Sequence, residues 1–302
     1  MILRRTIITF GCLCSVLGAR AQEKDSMDVI RNIRESFSPV TRFAEAVYAN
    51  PAARPWARSG SLTTLGFTAD YAQQSEAVVM QQGQGHRYAG FDADSYLHVG
   101  EQNTLWGGAG YRFGRIMNVQ WNETSDFGLL YPYVMADSVG GHLSGERYTF
   151  AGGYARRSGR LSWGLYADFR AQMEVRRVDP RPRNVVSDLN LAAGMTYGLG
   201  SRYRLGVGAY GRIYKQDDDI AVYDARGRPK VYQLTGLGLY STRFSNGKTF
   251  IHYRGGGYGA SVDFFSRDRR GLSASLAYEG FRFRRIMDDP NQLPINRLRE
   301  NT

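Results

Sequence analysis

A handful of residue groupings in the chain could do chemistry. Gly141-His142-Leu143-Ser144-Gly145 sets a histidine two residues from a serine. A histidine base beside a serine nucleophile is the beginning of an acyl-transfer site, here one that could hydrolyse lipid. The nucleophile elbow G-x-S-x-G is absent, and near neighbours in a loop rarely take up triad geometry. Gly206-Val207-Gly208-Ala209-Tyr210-Gly211 matches G-x-G-x-x-G. A dinucleotide site needs that motif to leave a strand and open a helix. Here it lies inside an alternating stretch, so its glycines read as small residues beneath bulky neighbours. Gly247-Lys248-Thr249 has the ending of a phosphate loop, but Thr242 stands where the earlier glycine belongs. His86, His98, His142 and His252 lack ligand spacing. Asp217-Asp218-Asp219 could draw Ca²⁺, but it lacks the hand-loop pattern and reads as a solvated acidic loop. The expectation is a non-enzymatic protein without cofactor or metal.

A second set of residues is charged and spread along the chain: Asp92, Asp94, Arg112, Asp168, Arg170, Glu174, Arg204 and Arg212. Glu279, Tyr166, Tyr210 and Tyr214 join them on the same side of an alternating pattern. A mixed, arginine-rich lining of this kind can select solutes in a pore. It can equally zip into a non-conducting core, because small barrels fill with side chains.

The elements that must position these residues are strands. In 160–176, Leu161, Trp163, Leu165, Ala167, Phe169, Ala171, Met173 and Val175 alternate with mostly polar residues. A period of two means a β-strand with one polar and one apolar face. Its length exceeds the roughly five or six residues usual in soluble domains and suits the roughly 9–11 of a bilayer-crossing strand. The same alternation marks 62–73, 87–101, 104–115, 146–156, 185–199, 202–215, 257–265 and 271–284. The stretch 177–184, with Pro180 and Pro182, reads as excluded from a central strand. The stretches 116–145 and 216–256 read as long polar connections that could conceal strands, with a hairpin expected at Asn246-Gly247. Connections after 101, 156, 199 and 265 are short, and those after 73, 115, 176 and 215 are longer. Outer-membrane barrels show that contrast, with short periplasmic turns and long outer loops.

Composition agrees. Outside the N-terminus no apolar run approaches the roughly 20 residues of a transmembrane helix. The 36 glycines and 13% aromatics suit an aromatic-girdled barrel. The net charge is +11, nearly all of the cationic residues being arginine. Arginine grips phosphate bidentately, which suits an anionic lipid leaflet or nucleic acid, with solvated loop charge as the plain alternative; the export signal at residues 1–21 makes nucleic acid the least expected of the three. Residues 1–21 read as an export signal: Arg4 and Arg5, a short apolar run, then Ala19-Arg20-Ala21. Cys12 and Cys14 both fall within it. Residues 22–60 read as a periplasmic lead-in, with a short helix from Asp25-Ser26 to Pro39 and a second piece ending at Asn50-Pro51; it is expected either to tuck into the barrel mouth or to be a disordered tether.

The signal, the Asn50-Pro51-Ala52 segment and the Gly/Tyr/Arg-rich alternating strands together resemble outer-membrane β-barrel proteins of Bacteroidota, within that group the uncharacterised barrel families. The resemblance implies location and fold, and it carries no catalytic residues over. The expected architecture is therefore all-β, an antiparallel transmembrane β-barrel over 61–285, followed by an irregular tail over 286–302. Nine strands fall short of an even count, so the barrel is expected to be truncated, to hide a strand, or to be completed by a partner chain. The expected function is a passive channel or transport-type barrel for small solutes in the outer membrane. The alternative is a non-conducting structural or adhesion barrel, or an accessory of an envelope or secretion complex. Expected partners are outer-membrane lipid and lipopolysaccharide, a small-molecule solute, and an envelope protein meeting the long loops.

Overall fold

The computed structural model describes residues 4–10, 45–224, 230–242, 248–269, 271–288 and 298–301. In chain order the elements are β1 (Arg4–Phe10), the helical turn α1 (Glu45–Tyr48) and a 3₁₀ segment (Pro51–Trp56). Then come β2 (Leu62–Gln73), β3 (Gly85–Val99), β4 (Asn103–Val119), α2 (Phe127–Leu130), β5 (Met135–Asp137), β6 (Gly141–Ser158) and β7 (Leu161–Val175). The rest are β8 (Arg181–Leu199), β9 (Tyr203–Ala221), β10 (Val231–Gly236), β11 (Leu239–Ser241), β12 (Lys248–Ser266), β13 (Ala274–Asp288) and β14 (Leu298–Asn301).

The architecture is predominantly antiparallel β, as the alternation implies. Eleven strands form one sheet in the order β1-β2-β3-β4-β6-β7-β8-β9-β12-β13-β14, and β11-β10-β5 form a second. The nine long strands, β2 to β13 without β5, β10 and β11, correspond one for one to the nine expected. The sheet is open: among the described residues its outer strands β1 and β14 do not pair with each other. No helix of the described residues is long and apolar enough to cross a membrane.

The strands outrun the sequence expectation mainly at the long-connection end. β8, β9 and β12 each run 19 residues. Residues 181–184, read as excluded from a strand, open β8 instead. Pro182 stands opposite Ile220, and its carbonyl still accepts from Arg176 N at 3.1 Å. A proline at the second residue of a strand costs little, since the edge of a ladder lacks few donors there. The 141–145 loop is likewise strand, the start of β6, with Leu143 buried and His142 exposed. Residues 217–219 lie in β9, not in a solvated loop, and only Asp218 turns inward to full burial. As a result the connections no longer alternate strictly: 176–180 is no longer than 267–273. The hidden strands of the two long connections are β5, β10 and β11, which build the small sheet rather than the large one. The hairpin there turns at Leu237-Gly238. The Asn246-Gly247 position and the 25–37 helix lie outside the described residues. Part of the segment read as an export signal contributes β1, paired antiparallel to β2 from Arg4↔Gln73 to Phe10↔Phe67. Thr6, Ile7, Ile8 and Thr9 are β-branched, which explains that conformation. Of the expected tail, 286–288 continue β13 and 298–301 form β14.

The two faces of the sheet are inverted relative to a water-soluble protein. Phe67, Phe91, Phe150, Leu165, Val207, Tyr258 and Leu276 lie 50–78% exposed on one face. The other face buries Ser162, Gln172, Asn184, Asp188, Thr196, Arg204, Gln216 and Asp263. The apolar clusters that do exist lie where something covers that polar face. One is Val47, Tyr48, Trp56 and Phe265 beneath the lead-in. A second, Tyr96, Trp106 and Ala155, lies against Arg54 of the lead-in, and a third gathers Leu130, Val134, Met135 and Val231 against Tyr214, Ile251 and Tyr253.

Candidate functional site: a polar interior between two covers

At the short-turn end the 3₁₀ segment packs across β4, β6, β7, β8 and β9, while α1 reaches β12 and β13. Its anchor is Asn50. The Asn50 amide donates to Asp263 Oδ2 at 2.8 Å, and its carbonyl oxygen caps the segment by accepting from Ala52 N at 3.0 Å. The wall makes room through missing side chains. A β-carbon on Gly194 would collide with Asn50 Oδ1, and one on Gly164 would stand 2.6 Å from Pro51 C. Gly206 and Gly208 of the G-x-G-x-x-G stretch also face Asn50. That motif is therefore a seat for the lead-in, and neither glycine opens a helix. Ser162 donates to Ala52 O at 3.0 Å, and Tyr96 donates to Arg54 O at 2.7 Å. Burial pushes the Arg54 guanidinium below and the Tyr48 phenol above their ordinary pKa ranges.

At the long-connection end, residues 122–137 and β10 cover the same face. Arg176, almost wholly buried, donates to Glu123 Oε1 at 3.1 Å and Asp137 Oδ2 at 2.7 Å. Asn184 donates to Glu123 O at 2.7 Å. Two buried carboxylates thus share one guanidinium. Burial first, and Asp137 second, push the Glu123 carboxyl well above its ordinary pKa. Asp126 behaves oppositely. Burial pushes it up, but hydrogen bonds and charge from Arg170, with a bond from Tyr214, hold it below the ordinary range.

Between the covers three cavities follow one another. The first, ≈ 480 Å³, is lined by Trp106, Tyr166, Tyr210, Asp168, Asn190 and Glu279 beside the lead-in. The second, ≈ 460 Å³, shares Tyr166, Asp168 and Asn190 and adds Asp92 and Asp94. The third, ≈ 560 Å³, shares Arg170 and Asp188 with the second and lies under residues 122–129.

All eight charged residues singled out in the sequence lie on this polar face, but not in one group. Asp92, Asp94, Asp168 and Arg170 border the middle cavity. Gly66 and Gly108 leave the space that Asp92 and Asp94 fill. Asp168 accepts from Asn190 at 2.9 Å. Arg170, Glu174 and Arg212 border the third cavity. Arg212 holds Asp188 bidentately at 2.8 and 2.7 Å, and Arg170 reaches the same carboxylate at 3.2 Å. Glu174 accepts from Ser125. Arg112 borders a further cavity of ≈ 350 Å³ together with Glu174, paired with Asp70 at 3.1 Å and lying over the Tyr88 ring at 4.0 Å. Arg204 belongs to the lead-in: it lies over Trp56 at 4.0 Å and donates to Thr196 Oγ1 at 3.0 Å. The residues the sequence reading passed over are Asp126, Asp188 and the Glu123–Arg176–Asp137 cluster, while Asn50 was marked only as the end of the lead-in piece. Asp188 carried a readable signal, as a polar residue in an alternating row. The others depend on contacts far apart in the chain.

Among the described residues no group of three or more His, Cys, Asp and Glu side chains is arranged to hold a metal. His142 accepts from Asn118 N at 3.1 Å and points outward with Ser144, so those two do not make a triad.

A family model described as a family of unknown function (DUF6850) matches residues 51–302. No curated protein matches the chain.

Proposed function

The chain belongs to that family of unknown function, and from its geometry we propose that it is an outer-membrane β-barrel protein, exported by its N-terminal signal, that passes or stores small polar solutes along its polar interior. One observation carries the reading: the apolar face of the long strands is exposed while the polar face is buried. Water would strongly disfavour that arrangement, and hydrocarbon favours it, at roughly 25 cal/mol per Å² of apolar surface. A transmembrane barrel has this pattern in every strand. The chain of cavities supports the solute role, with Arg170, Arg212 and the carboxylates beside them setting charge selectivity. Expressed with its leader, the protein should sediment with outer membranes and resist alkaline extraction. Recovery as soluble periplasmic material would overturn the reading.

The second reading, a non-conducting barrel serving as an anchor or as an accessory to an envelope complex, is favoured by the two covers. Planar-bilayer recording separates the two. A solute pathway predicts conductance that rises when the lead-in is unseated, whereas the structural reading predicts silence throughout.

A further inference from the structure

On the outward face, the apolar rows of several strands end in cations at the long-connection end. In β9 the outward row runs Leu205, Val207, Ala209, Gly211, Ile213 and then Lys215. In β12 it runs Val262, Ala260, Tyr258, Gly256 and then Arg254. In β13 it runs Leu276, Tyr278, Gly280 and then Arg282 and Arg284. The register sets three of these side by side: Lys215 pairs Arg254, and Arg254 pairs Arg284. Their chain neighbours Tyr214, Tyr253, Phe283 and Arg285 are buried, which fixes the cations on the outward side. The same arrangement recurs across β3 and β4, where Arg87 pairs Arg115 one step beyond Ala89 and Phe113.

Like charges directly opposite on a sheet are destabilising. One carboxylate offsets part of the row: Asp217 lies 2.6 Å from both Arg254 Nη2 and His252 Nδ1. Lys248, farther out, is paired with Asp219 at 3.2 Å. Among the described residues, the row of Lys215, Arg254, Arg282 and Arg284 has one carboxylate paired into it, Asp217 on Arg254, and it lies directly above an apolar band. Building on the membrane reading above, we propose that the Lys215–Arg254–Arg284 row docks the phosphate groups of an anionic lipid headgroup in the leaflet at the long-connection end. Height, charge and chemistry agree. The row sits where the apolar band stops, guanidinium forks match phosphate oxygens bidentately, and the partner relieves the cross-strand repulsion.

The test uses the folded full chain in neutral detergent micelles, titrated with a fluorescent bis-phosphorylated glycolipid. The arms are the same lipid dephosphorylated and inorganic phosphate as competitor. Each cation near an anionic surface is worth about fivefold in partitioning, so the triple variant Lys215→Gln, Arg254→Gln, Arg284→Gln should bind about a hundredfold more weakly. Wild type should bind the dephosphorylated lipid weakly, and equimolar inorganic phosphate should not displace the lipid. Equal binding by wild type and triple variant overturns the proposal, as does equal binding of both lipids. Displacement by inorganic phosphate would make the row a site for free phosphate and also overturn it. A second variant pair, Arg87→Gln with Arg115→Gln, guards against misfolding of the triple variant and should lose affinity by a smaller factor. Failure of the membrane reading is separately visible, because a chain that does not insert into bilayers stays extractable whatever lipid it binds.

Discussion

Asn50 and Asp263 meet side chain to side chain at 2.8 Å across 213 residues of chain, buried on the polar face of the sheet. The contact ties the lead-in to β12, third from the end of the sheet, and the glycines of β8 and β9 leave it no slack. Gly194→Val should therefore expel the lead-in while leaving the strands paired. The expected signs are faster proteolysis near residues 45–60 and, in planar bilayers, a rise in conductance over wild type. Conductance unchanged with the lead-in demonstrably cleaved would favour the non-conducting reading. Asn50→Ala should act more mildly, by roughly 1–3 kcal/mol of stability, because it removes one charge-assisted bond.

Leu191 and its neighbour Asn190 offer a test of what solvent each face meets. Leu191 is 48% exposed, and Asn190 lines two of the cavities on the polar face. Folded into lipid vesicles, Leu191→Arg should lose about 2–4 kcal/mol, the cost of a cation facing hydrocarbon near the midplane. Asn190→Arg should lose less. If both faces met water, Leu191→Arg would be close to neutral in urea titrations.

Asp188 is held by two guanidiniums and Arg170 by two carboxylates, so the cluster fails when a single member is removed. Arg170→Met should cost about 3–5 kcal/mol, since Asp126 and Asp188 are left enclosed with less charge opposite. Asp188→Asn should cost less and move any ion preference toward anions, read as a shift in reversal potential under a salt gradient.

Two carboxylates of the cover at the long-connection end, Asp126 and Glu123, should respond to pH with opposite signs. Asp126 has a folded pKa below its ordinary value. Its contribution is present above the unfolded carboxylate value, roughly 4, and lost as pH falls through the folded value. Asp126→Asn should thus destabilise at neutral pH, with the difference shrinking in acid. Glu123 has a folded pKa well above its ordinary value. Its contribution is complete below the unfolded value and lost as pH rises through the folded one. The unfolding midpoint of Glu123→Gln should therefore gain on wild type as pH rises from about 5 to 9. A difference independent of pH for both variants would remove the linkage argument.

Much of the sheet was legible because its rule is local. Leu189, Leu191 and Ala193 alternate with Asp188, Asn190 and Ala192, and such rows recur at intervals that a reader can count. Strand ends were less legible. Residues 181–184 carry Pro182, whose general unfitness for a ladder hides a position where the chain tolerates it. Residues 141–145 carry two glycines that blur the period. The interior charges were found as a face, since inward direction follows from parity alone. Their partners were not found, because Asp126 meets Arg170 through a cover that has no period of its own. Asn50 illustrates the limit best. An asparagine before proline is an ordinary turn signal, and only the missing side chains of Gly164 and Gly194, more than a hundred residues later, show what it is for.

The nineteen-residue strands carry a consequence for reach. At ~3.3 Å per residue they are about 63 Å long, and a tilt of about 40° leaves roughly 48 Å of height. The hydrocarbon takes about 30 Å of that. In a bilayer the upper third of β8, β9 and β12 would stand clear as a rigid parapet, with the outer cover set within it. Anything too large to enter the leaflet, an antibody or another cell's surface polymer, would meet that rim first. On the membrane reading proposed above, the rim would be a face that can change without disturbing the wall embedded below.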